Sequence, residues 1–187
     1  MPKVIHVAGT KRKGTTCYYY SRILVKHRRI IREPTKIGYL TSPYQIDVRK
    51  RILINNKKIP KQVFSSYVRE LDSKILAPKC PGFLSLLGIY IFISEKVNIA
   101  ILKTRTGGET DSTNVFPRPV ATGITTIKLD HVKVLGHTVK EIAWHKAGIF
   151  KHRSLAGTVP QKEAVIQVLR TRAEEKHVTS ELEVITD

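Results

Sequence analysis

Val4-Ile5-His6-Val7-Ala8-Gly9-Thr10-Lys11-Arg12-Lys13-Gly14-Thr15-Thr16 is an apolar, partly β-branched run that meets a small-residue turn and then a Lys-Gly-Thr-Thr opening to a helix. The pattern predicts strand, phosphate loop, helix. The first N–H groups of such a helix have no intrahelical partner, and together with the helix dipole they attract an anion. On that reading Gly9, Thr10, Lys13, Gly14, Thr15 and Thr16 line a polyphosphate-binding loop. Lys13 neutralises phosphate charge, and Thr15 offers its hydroxyl to Mg²⁺, as Ser or Thr does after the lysine of P-loop enzymes. The spacing departs from the strict pattern, because Arg12 stands where a glycine precedes the lysine and Gly14 intervenes before the threonine. The residues alone therefore leave an ordinary strand-to-helix turn open as well.

Outward from this stretch the chain alternates strands and helices. A helix is expected over 15–27, with Tyr19, Ile23 and Val25 facing inward. A second strand at 36–40 delivers Thr41-Ser42-Pro43-Tyr44 to the carboxyl edge of a parallel sheet, where open α/β sheets place their ligands. Residues 49–59 alternate around Asn55-Asn56 and predict a hairpin, and Pro60 suits the first turn of a helix running to about Ile75. After a linker at 77–82 come a buried helix at 83–95 and a buried strand at 97–102. That strand delivers Lys103-Thr104-Arg105-Thr106-Gly107-Gly108 to the same edge. A strand at 120–124, helices at 138–147 and 161–176, and a short last strand at 182–185 complete the reading. The expected class is α/β, with a mainly parallel sheet, helices on both faces and a phosphate loop.

Composition bounds the rest. The 187 residues, 41% hydrophobic and 26% charged, can bury one core and read as one domain. The most apolar stretch, Phe83 to Ile93, is too short to span a bilayer, so no membrane partner is expected. No cationic, apolar and cleavage-site succession opens the chain, which predicts a cytoplasmic protein, with a mitochondrial address left open. Cys17 and Cys80 have no metal-site or redox spacing and read as reduced and structural. The net charge of +18 is unusual and points to polyanionic partners. One basic cluster runs from Arg22 to Lys36 and another from Arg49 to Lys61. They suit either a nucleic-acid backbone or a solvated basic surface that attracts ATP.

Several blocks resemble the folylpolyglutamate synthase and dihydrofolate synthase family of Mur-type ligases. The phosphate loop reads His-Val-Ala-Gly-Thr-x-x-Lys-Gly-Thr-Thr. Thr41-Ser42-Pro43-Tyr44 with Asp47-Val48-Arg49-Lys50-Arg51-Ile52 is similar to a loop that borders the folate site in the family. Gly107-Gly108-Glu109-x-Asp111-Ser112-Thr113-Asn114, the run from Gly123 through Leu129-Asp130-His131 to Gly136, and Ile142-Ala143-Trp144-His145-Lys146-Ala147-Gly148 match further blocks. The resemblance implies a ligase that uses ATP to phosphorylate a folate carboxyl and lets the amine of glutamate displace the phosphate. It implies Mg²⁺ on Thr15, a second Mg²⁺ on Ser42 and His131, and catalytic roles for Lys13, His131 and Lys146, the last matching a lysine that the family carbamoylates. Without the surrounding blocks, His131 would read as a core or cap histidine and Lys146 as a solvated helix end.

Two departures stand out. Lys103 occupies the position of a metal-binding glutamate in the family, and Lys11-Arg12 replaces Asn-Gly in the phosphate loop. The chain is expected to form a partial, Mur-ligase-like ATP-binding domain over 1–187, with the C-terminal ligase domain absent and activity weak or lost. The alternatives are a basic relic that binds polyanions or nucleic acid, and a fragment completed by a partner chain.

Overall fold

The computed structural model describes residues 1–32, 34–42, 46–74 and 82–186. Six strands run parallel at its centre: β1 (Lys3–Ala8), β2 (Ile37–Leu40), β5 (Ile99–Lys103), β6 (Ala121–Ile124), β7 (Leu155–Thr158) and β8 (Glu183–Val184). An antiparallel hairpin, β3 (Ile52–Ile54) and β4 (Lys57–Lys58), extends one edge, giving the order β4-β3-β2-β5-β1-β6-β7-β8. Asn55 and Asn56, at φ 52° and 61°, make its two-residue turn, because asparagine tolerates the left-handed backbone that such a turn requires.

Alternation along β1 sorts the helices. Val4 joins a core with Phe64, Leu71, Leu87, Ile91 and Phe92 from α2 (Lys61–Lys74) and α3 (Gly82–Ser94). Ala8, on the same face, meets Ile142, Phe150, Val165 and Leu169, which belong to or follow α5 (Val139–Ala147) and α6 (Glu163–Glu175). Val7, on the opposite face, packs with Cys17 and Val25 of α1 (Lys13–Ile30) and with Tyr39 and Ile101. A four-residue helix, α4 (Val132–Leu135), links β6 to α5. No described helix is long and apolar enough to cross a membrane.

Three expectations need correction. Tyr19 and Ile23 are exposed, and the buried side of α1 is Cys17, Ser21 and Val25, small residues at a four-residue spacing that let the helix lie close to the sheet. A 3₁₀ turn over Val48–Arg51 precedes the hairpin, capped by Asp47, whose carboxylate accepts from the Arg49 N–H at 3.0 Å. β7 was not anticipated, since Leu-Ala-Gly-Thr has weak strand propensity and gains its form from pairing along its whole length with β6. The expected linker lies almost wholly outside the described residues, as does Cys80.

Candidate phosphate site

β1 lies between β5 and β6, so the loops after β1, β5 and β6 open side by side at the carboxyl edge, with the end of β2 one strand further on. The chain reverses its direction across the sheet there, the usual place for a ligand in such folds. The loop after β1 is closed from a distance. Thr10 and Lys11 N–H donate to Thr126 O at 2.9 and 3.2 Å, and Thr10 Oγ1 bonds both N–H and C=O of Lys128. Thr125 Oγ1 donates to Lys11 O at 2.7 Å. Gly9 has φ 139°, and a Cβ there would overlap Thr125 Oγ1, so only glycine fits. Arg12 precedes α1 at φ 67°, a left-handed conformation that glycine would adopt without strain, and its side chain makes no cap bond.

Two lysines bond this loop, and a third ends the neighbouring strand. Lys13 Nζ donates to Gly9 O at 2.6 Å and to Thr10 O at 3.1 Å, and Lys146 Nζ, from the last turn of α5, donates to the same Gly9 O at 2.8 Å. Two ammonium groups on one oxygen lie no further apart than the sum of their bonds, about 5.4 Å. At an effective dielectric near 20 they repel by at least about 3 kcal/mol. Lys103, in register with Val7, ends β5 and donates to Ser42 Oγ and Thr104 O, each at 3.2 Å. Burial pushes Lys103 and Lys146 down to about 8, with the charge of Lys13 adding to the effect, and burial also lowers Lys13. Lys146 is 2% exposed, so it is not the solvated helix end that its position alone would suggest.

Two of the acidic groups nearby are committed elsewhere. Asp111 accepts from Arg105 and Thr106 N–H through Oδ2 and from Thr113 N–H and hydroxyl through Oδ1, folding the loop after β5. Glu109 pairs with Arg172 and Lys176. Gly108 lies against the last carbonyls of α5, where a side chain would clash, which joins the β5 loop to the helix that carries Lys146. Buried His6 bonds Thr113 at 2.8 Å, and its burial holds the imidazole down to about 4, hence neutral.

The remaining candidates separate. Ser42 is buried beside Lys103, and Thr41 is fixed by a backbone bond to Arg51 O and by the Arg51 Nε–H donating to its carbonyl. Pro43 and Tyr44 lie outside the described residues. Thr15 and Thr16 sit on the first turn of α1, Thr15 exposed, and Gly14 has open space around it. His131, half-exposed at φ 50°, begins α4 without capping it by its side chain and pairs with Asp130 at 3.9 Å. The groups present do not suit a Mg²⁺ ion held by Ser42 and His131, because the Ser42 hydroxyl already accepts from an ammonium group. Among the described residues no three His, Cys, Asp or Glu side chains gather as a metal site. Thr125 and Thr126 stand in a block that resembles the family, but their closing of the loop, with Lys128, escaped sequence reasoning, although their place after a parallel strand was a usable signal.

No family model matches the chain. Single relatives do: it is 45% identical to the folylpolyglutamate synthase of Neurospora crassa over 94% of its own length and 36% of that protein's. It is 38% identical to the mitochondrial folylpolyglutamate synthase of Homo sapiens, covering 92% of this chain and 30% of the relative. Over the length it spans, the chain is similar to the folylpolyglutamate synthases. The fold agrees. A solved FPGS–AMPPCP–folate complex superposes with a TM-score of 0.85 at 28% identity, over 98% of this chain and 45% of the other. E. coli FolC in complex with DHPP and ADP gives 0.83 at 26% identity, over 97% of this chain and 42% of the other. The chain thus spans about a third of the curated folylpolyglutamate synthases that it matches and under half of the solved ones.

Proposed function

We propose that this chain is the phosphate-binding portion of a folylpolyglutamate synthase-type ligase, with the 9–16 loop receiving the polyphosphate of ATP. The observation that carries the reading is the pair of ammonium groups, half-buried Lys13 and buried Lys146, on Gly9 O at the start of a long helix. Their mutual repulsion is relieved by an anion, and the free N–H groups of the first turn of α1 can accept one. The similarity to proteins solved with AMPPCP or ADP supports the choice of nucleotide. Lys13 neutralises phosphate charge, Lys146 holds the loop and adds to its field, and Thr41 and Ser42, which follow β2, begin the Thr41–Tyr44 run that the family resemblance assigns to the folate. In the complete reaction a folate carboxyl is activated by phosphoryl transfer and glutamate displaces the phosphate, in the cytoplasm or the mitochondrion. Turnover by these 187 residues alone is not expected, whether or not a partner chain completes them, because Lys103 sets a cation where the family has a metal-binding carboxylate. Calorimetry with ATP should show binding that Lys13→Met weakens about tenfold or more, the loss of one charge-assisted contact. Equal affinity in that variant would overturn the reading.

A second reading rests on a groove between α1 and the β3–β4 hairpin, where Arg22, Lys26 and Arg29 share a wall with Lys57. It makes the basic face a polyanion or nucleic-acid surface. Oligonucleotide binding that falls steeply with salt and is not competed by ATP would favour it.

A further inference from the structure

Resting on that phosphate-loop reading, we infer that the Lys103 ammonium takes the place of a divalent cation, so that this pocket binds polyphosphate free of Mg²⁺ in preference to its Mg²⁺ complex. Lys103 ends the strand beside β1, in register with Val7, two residues before Gly9. Its Nζ is fixed by Ser42 Oγ and Thr104 O, an oxygen environment of the sort a metal ion would use. What Mg²⁺ further requires is an uncommitted carboxylate beside the phosphates and room for its waters. Here Asp111 receives four hydrogen bonds from Arg105, Thr106 and Thr113, and Glu109 is held by Arg172 and Lys176. Asp130, the other carboxylate that faces the cluster, accepts from the His131 N–H through Oδ1 at 2.9 Å and stands 3.9 Å from the His131 imidazole through Oδ2. A dication entering would meet Lys13, Lys103 and Lys146, which already supply the positive charge a phosphate chain needs. Chelation by Mg²⁺ would also remove two units of the ligand's negative charge and so weaken its attraction to all three.

The test is titration calorimetry of the 187-residue chain with inorganic tripolyphosphate, in EDTA and in excess Mg²⁺ at matched ionic strength. The expected result is a dissociation constant about tenfold lower in EDTA, the scale of one charge interaction. Lys103→Gln should shrink that preference, and Lys103→Glu should invert it. Lys26→Gln, which removes an exposed cation of α1 remote from the loop, should leave the preference intact, so that general attraction to a basic surface is told apart from the pocket. Tighter binding in Mg²⁺ by the unaltered chain overturns the inference while leaving the phosphate loop standing, and so does a preference that Lys103→Gln and Lys26→Gln affect alike. No binding in either buffer sinks the loop reading together with the inference. The unaltered chain decides the main point even if Lys103→Glu fails to fold.

Discussion

Arg12→Gly offers a direct measure of the strain in the phosphate loop. Arg12 holds φ 67° and ψ 0° immediately before α1, and its side chain caps nothing. A left-handed backbone costs an L-residue roughly 1–2 kcal/mol. Glycine removes that term but gives the unfolded chain more freedom, which returns roughly 0.4–1 kcal/mol. The net gain is about 1 kcal/mol, and for a domain of this size that raises the melting temperature by about 2–4 °C. The substitution also deletes one cation from a chain of net charge +18, which could stabilise it for an unrelated reason. Arg12→Ala deletes the same charge and keeps the strain, so it should gain little. Thermal melts and urea titrations of the three proteins, run side by side, read the difference. An alanine variant that gains as much as the glycine variant would refute the backbone argument, and so would a glycine variant less stable than the parent.

Gly9→Ala should lose roughly 2–5 kcal/mol, since it adds strained backbone to a clash with Thr125 Oγ1; Thr125→Ala in the same chain should restore part of this in urea titrations. Buried His6, held down to about 4, takes up its proton later than the unfolded chain does, so stability should be full above pH 6.5 and fall as pH drops toward 4. His6→Gln, followed by urea midpoints across that range, should flatten the slope. Lys146 works in the opposite pH range. Its value near 8 lies below that of the unfolded chain, which therefore binds more protons above pH 8, and stability should rise with pH. The rise between pH 8 and 9 is up to about 1 kcal/mol and should shrink in Lys146→Met. Above pH 9 the Cys17 thiol, pushed up to about 12 by burial, opposes it.

Where a local pattern decides the structure, the sequence was readable. The strand–loop–helix at 3–30, the Asn55-Asn56 turn and the helix after Pro60 follow from periodicity and from turn residues. β7 was not readable, because Leu155 to Thr158 becomes a strand only through the partner that β6 provides. The inward face of α1 was misread for a related reason: Tyr19 and Ile23 carry larger side chains than Cys17 and Ser21, yet it is the small ones that lie against the sheet. At the site, Lys13, Ser42 and Lys103 could be named from motif order, and Lys146 from the family resemblance alone. Their pairing could not be foreseen, since a lysine at a helix end is ordinarily solvated and Lys146 reaches Gly9 across 137 residues.

That separation has a consequence for synthesis. The phosphate loop leaves the ribosome well before the segment that closes it, since Thr10 is held by Lys128, 118 residues later. At about 5–20 residues per second the nascent loop waits roughly 6–24 s for its partners. Until then β1 lacks its neighbour β6, and its apolar residues and unpaired backbone are available to other chains. The most function-bearing part of the molecule is thus the part that a chaperone would have to guard longest.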